Sequence, residues 1–256
     1  MWQAALLSCT AAWYAPPRGR WAAGIGLFWT LAVLVRPTEA LYLVVLLAWG
    51  LVSKAAWQGR LARWGRYWRH LGLAAGVAGS VLSLQLFFWR VVAGHWVVDA
   101  YASEHFDFAH PHVLDGLFSF RKGWLLYSPL LGAALPLGLP WLARFAPAAV
   151  PVILLLLPAV VYLTFSWEQW WYGGGFGARP LISLYPLLAL LLGALLTARR
   201  PPLAAAARAL VLGCLLLNLW QSWQYAGGVL QGDGTTAGLY QQRFFWRKFP
   251  SAAPTW

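Results

Sequence analysis

Acidic side chains are what this chain has least of: seven Asp and Glu stand against nineteen Lys and Arg in 256 residues, and all charged residues together make up only 10%. A soluble domain carries about a quarter charged residues. That scarcity, with a hydrophobic fraction of 61% and a mean hydropathy of +0.59, excludes an ordinary soluble fold. Cysteine is nearly absent. Cys9 and Cys214 lie in apolar segments with no C-x-x-C and no histidine at ligand spacing, which leaves neither a disulfide framework nor a cysteine metal site. The net charge of +12 would suit nucleic acid, but the basic residues sit in short loops between apolar runs. Such a distribution sets topology and attracts anionic headgroups, so membrane lipids are the expected partner and nucleic acid is not.

What the chain does have is a succession of apolar runs. Residues 1–15 are shorter than the ~20 residues a crossing needs, lack a basic stretch ahead of them, and read as the end of a helix whose beginning is missing. Two more short runs, 21–35 and 40–52, flank Arg36-Pro37-Thr38-Glu39, which suggests a helical hairpin with a polar tip in or at the membrane. An Arg36 to Glu39 contact is the simplest reason for that tip. Residues 53–70 carry Lys54, Arg60, Arg63, Arg66 and Arg69 without an acid, with Trp57, Leu61, Trp64 and Trp68 at helical spacing. This predicts an interfacial amphipathic helix on the cytoplasmic side.

Crossings are expected at 71–89, 124–143, 147–165, 181–196 and 209–226. Gly72, Gly76, Gly79 and Ser80 would allow close helix packing in the first, and Pro129, Pro136, Pro140, Pro147, Pro151 and Pro158 would bend the next two. The expected fold is all-α, a polytopic transmembrane bundle of about seven or eight hydrophobic segments, some short or re-entrant, over residues 1–226. An outer-face tail, 227–256, follows. With 53–70 inside and each later run crossing once, Arg18, Arg20, Arg144, Arg199, Arg200 and Arg208 also fall inside, making eleven of the nineteen basic residues. The loop 90–123, the loop 166–180 and the tail then share the outer face and can build one site.

The richest stretch is SWEQWWYGGGFGARP at 166–180. It offers flat rings at Trp167, Trp170, Trp171 and Tyr172 for a cleft, and glycines 173–175 whose backbone can take positive φ and approach a ligand. Arg179 precedes Pro180, a residue favoured at the start of a helix, and that corner suits a phosphate. A turn with an interfacial aromatic belt, and an Arg179 to Glu168 ion pair across it, is the structural alternative. Arg121 and Lys122, flanking a crossing, either bind phosphate or reach toward headgroups. Glu104, His105, Asp107, His110 and His112 lack ligand spacing, so no cofactor is indicated, a divalent metal being the weaker reading. Glu168 is the fallback catalytic base.

Three of these stretches carry a family resemblance: LVRPTEAL at 34–41, GLFSFRKGWLLYSPLL at 116–131 and WEQWWYGGGFGARPLISLYPLLAL at 167–190. In that order they resemble the C-terminal half of bacterial polytopic glycosyltransferases of the GT-C superfamily, related to protein O-mannosyltransferases and lipid A aminoarabinose transferases. The resemblance implies a multi-pass protein of the bacterial inner membrane. It also implies transfer of a sugar from a polyprenyl-phosphate carrier to a lipid, glycan or protein on the outer face. Arg179, Arg121 and Lys122 would hold the carrier phosphate. The superfamily's acidic motif, Asp-x-Asp or Glu-x-Asp in the first outer loop, occurs nowhere in this chain. A non-catalytic remnant or partner subunit is therefore the alternative expectation, and a transporter, for which the sequence shows no internal repeat, is the weaker one.

Overall fold

The computed structural model describes residues 1–98, 104–197 and 201–246, apart from the side chains of 201–203. Asp99, Arg199, Arg200 and residues 247–256 of the expected tail lie outside the described residues. Every regular element among the described residues is a helix, with one isolated antiparallel bridge between Phe106 and Trp167. Four helical stretches are long and apolar enough to cross a membrane: Trp68–Ala93, Pro147–Phe165, Arg179–Leu196 and Ala204–Ala226. The chain divides into two compact units, Met1–Ser103 with Leu142–Val160, and Glu104–Trp141 with Val161–Trp256.

The first unit is built from α1 (Trp2–Tyr14), α2 (Gly19–Val35), a 3-10 turn at Pro37–Tyr42 running into α3 (Leu43–Ala48), α4 (Lys54–Arg66) and α5 (Trp68–Ala93). Its core holds Leu6, Leu7, Trp13, Ile25 and Val45, large apolar side chains closed to solvent between the helices. Close packing of α2 on α5 depends on Gly26, where a Cβ would run into the Ala74 backbone carbonyl. The glycines expected to serve this purpose do not: Cβ atoms at Gly72, Gly76 and Gly79 would meet nothing within 4 Å. At the hairpin tip Glu39 is buried and accepts a hydrogen bond from Gln3 Nε2 at 3.1 Å.

The expected single helix over 53–70 is two. Ser53 caps α4 by accepting from the Ala56 N–H at 3.1 Å, and the helix stops at Tyr67, whose φ of −111° and ψ of 30° leave the helical region. The long apolar helix α5 then starts at Trp68, three residues before the expected start. On α4, Arg60 and Arg63 turn inward to the carbonyls of Trp49 and Tyr14, while Trp57 and Leu61 face outward.

The second unit contains α6 (Val113–Phe118), α7 (Trp124–Tyr127), most of α8 (Pro129–Phe145), the end of α9 (Val150–Phe165), a 3-10 turn at Arg179–Leu184 leading into α10 (Tyr185–Leu196), α11 (Pro201–Ala226) and α12 (Ala237–Arg243). The run 124–143, expected as one crossing, is broken at Ser128, with φ −140° and ψ 58°. The physical reason is Pro129, whose ring disfavours the helical conformation for the residue before it. Gly138 of α8 rests on the Leu191 backbone of α10, again where a Cβ has no room. The chain after α11 folds back on it. Gln224, fully buried, donates through Nε2 to the carbonyls of Arg243, Phe244 and Trp246 at 3.0, 2.7 and 3.1 Å.

Candidate functional site

Three stretches of the second unit converge, and backbone hydrogen bonds bring them together. Residues 104–112 pair with 165–169: Asp107 N–H donates to Ser166 at 2.7 Å, His112 N–H to Phe165 at 2.8 Å and Glu168 N–H to His105 at 3.0 Å. Glu104 adds side-chain acceptors, taking Trp167 Nε1 at 2.9 Å and Gln169 Nε2 at 3.0 Å. The returning chain closes the other side. Gly232 lies so near the Gly174 carbonyl that only a glycine fits, and the Tyr225 hydroxyl donates to that same carbonyl at 2.7 Å. Within the glycine-rich turn, positive φ falls at Tyr172, Gly173 and Gly177, at 51°, 67° and 54°.

The three cations singled out by the sequence have three different situations. Lys122 is buried, 1% exposed, and its ammonium donates to the carbonyls of Gly175 and Gly232. It ties the loop after α6 to both the glycine-rich turn and the returning chain. Burial, with Arg179 and Arg121 adding to it and Asp233 opposing, lowers its pKa from the ordinary lysine value to about 8. Arg121 makes a two-pronged bond to Asp233, Nε to Oδ1 at 2.6 Å and Nη2 to Oδ2 at 3.2 Å, and its guanidinium stands 4.0 Å over the Trp171 ring. That bond holds the Asp233 carboxyl below its usual range.

Arg179 is exposed and has no hydrogen-bond or ion-pair partner among the described residues. Its side chain stands over Gly175, the position where a Cβ would meet Arg179 Nε at 3.6 Å. Its helical setting differs from expectation, since Arg179 opens a 3-10 turn and α10 itself begins only at Tyr185. The ion pair with Glu168 is not formed: Glu168 Oε2 meets His105 Nδ1 at 3.1 Å instead, both side chains being at least half exposed.

Of the four rings expected to line a cleft, Trp171 lies 4.0 Å under the Arg121 guanidinium and stays partly open, and the same guanidinium stands 5.8 Å from the Trp170 ring. Trp170 is buried, stacked on His112 at 5.7 Å and edge-on to Trp171 at 6.1 Å. Trp167 meets Phe106 edge-on at 4.6 Å, and the Tyr172 hydroxyl donates to the Thr164 carbonyl at 2.8 Å. The loop histidines and acids pair off two by two, His105 with Glu168, His110 with Asp107 at 3.2 Å and His112 with Asp115 at 3.3 Å. Among the described residues no three such side chains are grouped to hold a metal.

Sequence reasoning missed Asp233 and Gly232, because a lone acid and a glycine in a tail carry no signal until the chain folds back. An open apolar groove of about 410 Å³ between Leu217, Tyr240, Gln241, Phe244 and Phe245 was equally invisible. No family model, curated protein or solved structure matches the chain.

Proposed function

We propose that this chain is the carrier-facing part of a multi-pass bacterial inner-membrane glycosyltransferase of GT-C type, with about seven or eight apolar segments and its loops on the outer face. In this reading a polyprenyl-phosphate sugar presents its phosphate to Arg179, and the sugar passes to a lipid, glycan or protein. The observation that carries it is Arg179, an exposed guanidinium without a partner among the described residues, over a glycine-rich turn and within electrostatic reach of Lys122. A planar fork of N–H donors recognises phosphate by two charge-assisted hydrogen bonds. One observation favours a second reading, a partner subunit or remnant that binds lipid phosphate without chemistry: the sequence holds neither Asp-x-Asp nor Glu-x-Asp.

Binding and turnover separate the two. Purified protein in nanodiscs is titrated with farnesyl phosphate, then incubated with a polyprenyl-phosphate hexose and a bacterial membrane extract that supplies the lipid, glycan and protein acceptors. Binding that Arg179→Ala weakens, followed by release of free carrier phosphate, supports the transferase; the same binding without release supports the partner. No binding defeats both. Sidedness is checked by cysteines placed at the exposed Ala109 and Ala62, of which an impermeant thiol reagent added outside should reach only the first.

A further inference from the structure

We infer that Asp233 is an internal stand-in for the ligand's phosphate: its carboxylate occupies the Arg121 fork, and a phosphate-bearing ligand enters by displacing it and freeing residues 233–235. The inference rests on the phosphate reading of the site and adds how that site is closed.

Geometry supports it from both partners. A carboxylate held by Nε and Nη2 of one guanidinium, at 2.6 and 3.2 Å, uses the two donors with which arginine grips a phosphate oxygen pair. The guanidinium is already fixed in place by Trp171 beneath it at 4.0 Å, so it need not reorganise when the anion is exchanged. Arg121 and Asp233 keep 33% and 40% of their side-chain surface exposed, so a ligand can reach the pair directly. Charge also favours exchange. Lys122 feels Arg121, Arg179 and Asp233, three cations including itself around a single carboxylate, and a phosphate monoester such as farnesyl phosphate, which brings about two negative charges, balances that set better than Asp233 alone.

The segment that carries Asp233 is shaped to present it. Asp233 Oδ1 also accepts the Gly234 N–H at 2.7 Å, and Thr235 closes the turn by donating to the Gln231 carbonyl at 3.2 Å. Gly228 ahead of it and Gly234 within it, with φ of 74° and 76°, give the conformational freedom a swinging segment requires. Against this, Lys122 still holds the Gly232 carbonyl, and Gly232 still abuts Gly174. Displacement of Asp233 therefore frees residues 233–235 while Lys122 keeps Gly232 in place.

The test uses the full chain in phosphatidylcholine nanodiscs and follows amide hydrogen exchange of residues 230–236. Three phosphate sources are compared: farnesyl phosphate, inorganic phosphate, and phosphatidylglycerol replacing part of the lipid. Faster exchange in that segment with at least one source is expected, and the arm that produces it identifies whether a polyprenyl head, a free anion or a headgroup fills the fork. In parallel Asp233→Asn, nearly isosteric and uncharged, should bind the effective source on the order of tenfold more tightly than wild type. If farnesyl phosphate binds in an Arg179-dependent manner while exchange and the Asp233→Asn affinity stay unchanged, the stand-in is wrong and the phosphate site survives. If no source binds either protein, both fall together.

Discussion

Among the described residues each unit buries one basic side chain, and the two are held in opposite ways. In the first, Arg60 is 4% exposed, gives one hydrogen bond to the Trp49 carbonyl, lies 5.5 and 5.9 Å from the Tyr14 and Trp64 rings, and leaves Nε and Nη1 without an acceptor. In the second, Lys122 satisfies two glycine carbonyls that lie 57 residues apart in the chain, Gly175 and Gly232, with a carboxylate nearby. The arginine fills a gap between aromatic rings, where its hydrocarbon stem and flat head contribute packing. The lysine ties the loop after α6 to both the glycine-rich turn and the returning chain. A buried cation is thus ballast in the first unit and a fastener in the second, where five of the seven acids are also found.

Replacing each by methionine is the strongest way to break this contrast. Lys122→Met leaves two half-buried carbonyls without their ammonium donor and should cost about 2–5 kcal/mol of stability. Arg60→Met removes two unmet donors as well as one bond, so it should cost no more than about 1 kcal/mol. Thermal unfolding in matched nanodiscs reads both, and equal losses would erase the distinction. Next in size are the glycines of the first unit. Gly26→Ala drives a methyl into the Ala74 carbonyl and should cost about 1–3 kcal/mol, whereas Gly72→Ala, with open space around it, should stabilise α5 by up to about 1 kcal/mol.

That second contrast shows where the sequence could be read and where it could not. Apolar length and arginine placement made the helical membrane class legible, because lipid leaves the backbone few alternatives. The helix start at Ser53, a capping residue, was legible, whereas the break at Ser128 was missed although Pro129 after it carries the signal. Gly26 and Gly72 look alike in sequence, and only the register of α2 against α5 makes one a contact and the other a bare position. The same holds in the site. Arg121, Lys122 and Arg179 were legible as basic residues next to apolar runs, but their division into clasped, buried and free depends on Asp233, 112 residues after Arg121. No spacing rule spans that distance.

A smaller effect sharpens the role of Lys122. Its folded pKa is about 8 against an ordinary value of 10.5, so between those values the unfolded chain binds more protons than the folded one. Stability therefore rises with pH across that window, as the folded protein sheds a buried charge that the unfolded chain retains. The Lys122→Met variant has no such group, so the gap in unfolding midpoint between wild type and variant should widen from pH 7.5 to pH 10. A constant gap would mean the ammonium is no harder to bury than a solvated one.

The smallest expected change in stability belongs to Arg179, and it bears most directly on function. An exposed side chain with no partner among the described residues contributes little to folding, so Arg179→Ala should shift stability by less than about 0.5 kcal/mol. Glu168→Ala removes only a half-exposed contact with His105 at 3.1 Å and should be equally mild. Because Glu168 and Arg179 share no bond, their effects on stability should add, whereas a structural ion pair across the turn would give a coupling term in the double-mutant cycle. Affinity for farnesyl phosphate is the opposite case. Loss of a charge-assisted bond should weaken it by about 1.5–3 kcal/mol in Arg179→Ala, less in Arg179→Lys, which keeps the charge without the planar fork. If instead Arg179→Ala unfolds more readily, couples to Glu168→Ala and binds the probe as wild type does, the guanidinium holds the turn together and the phosphate must be sought elsewhere in the second unit.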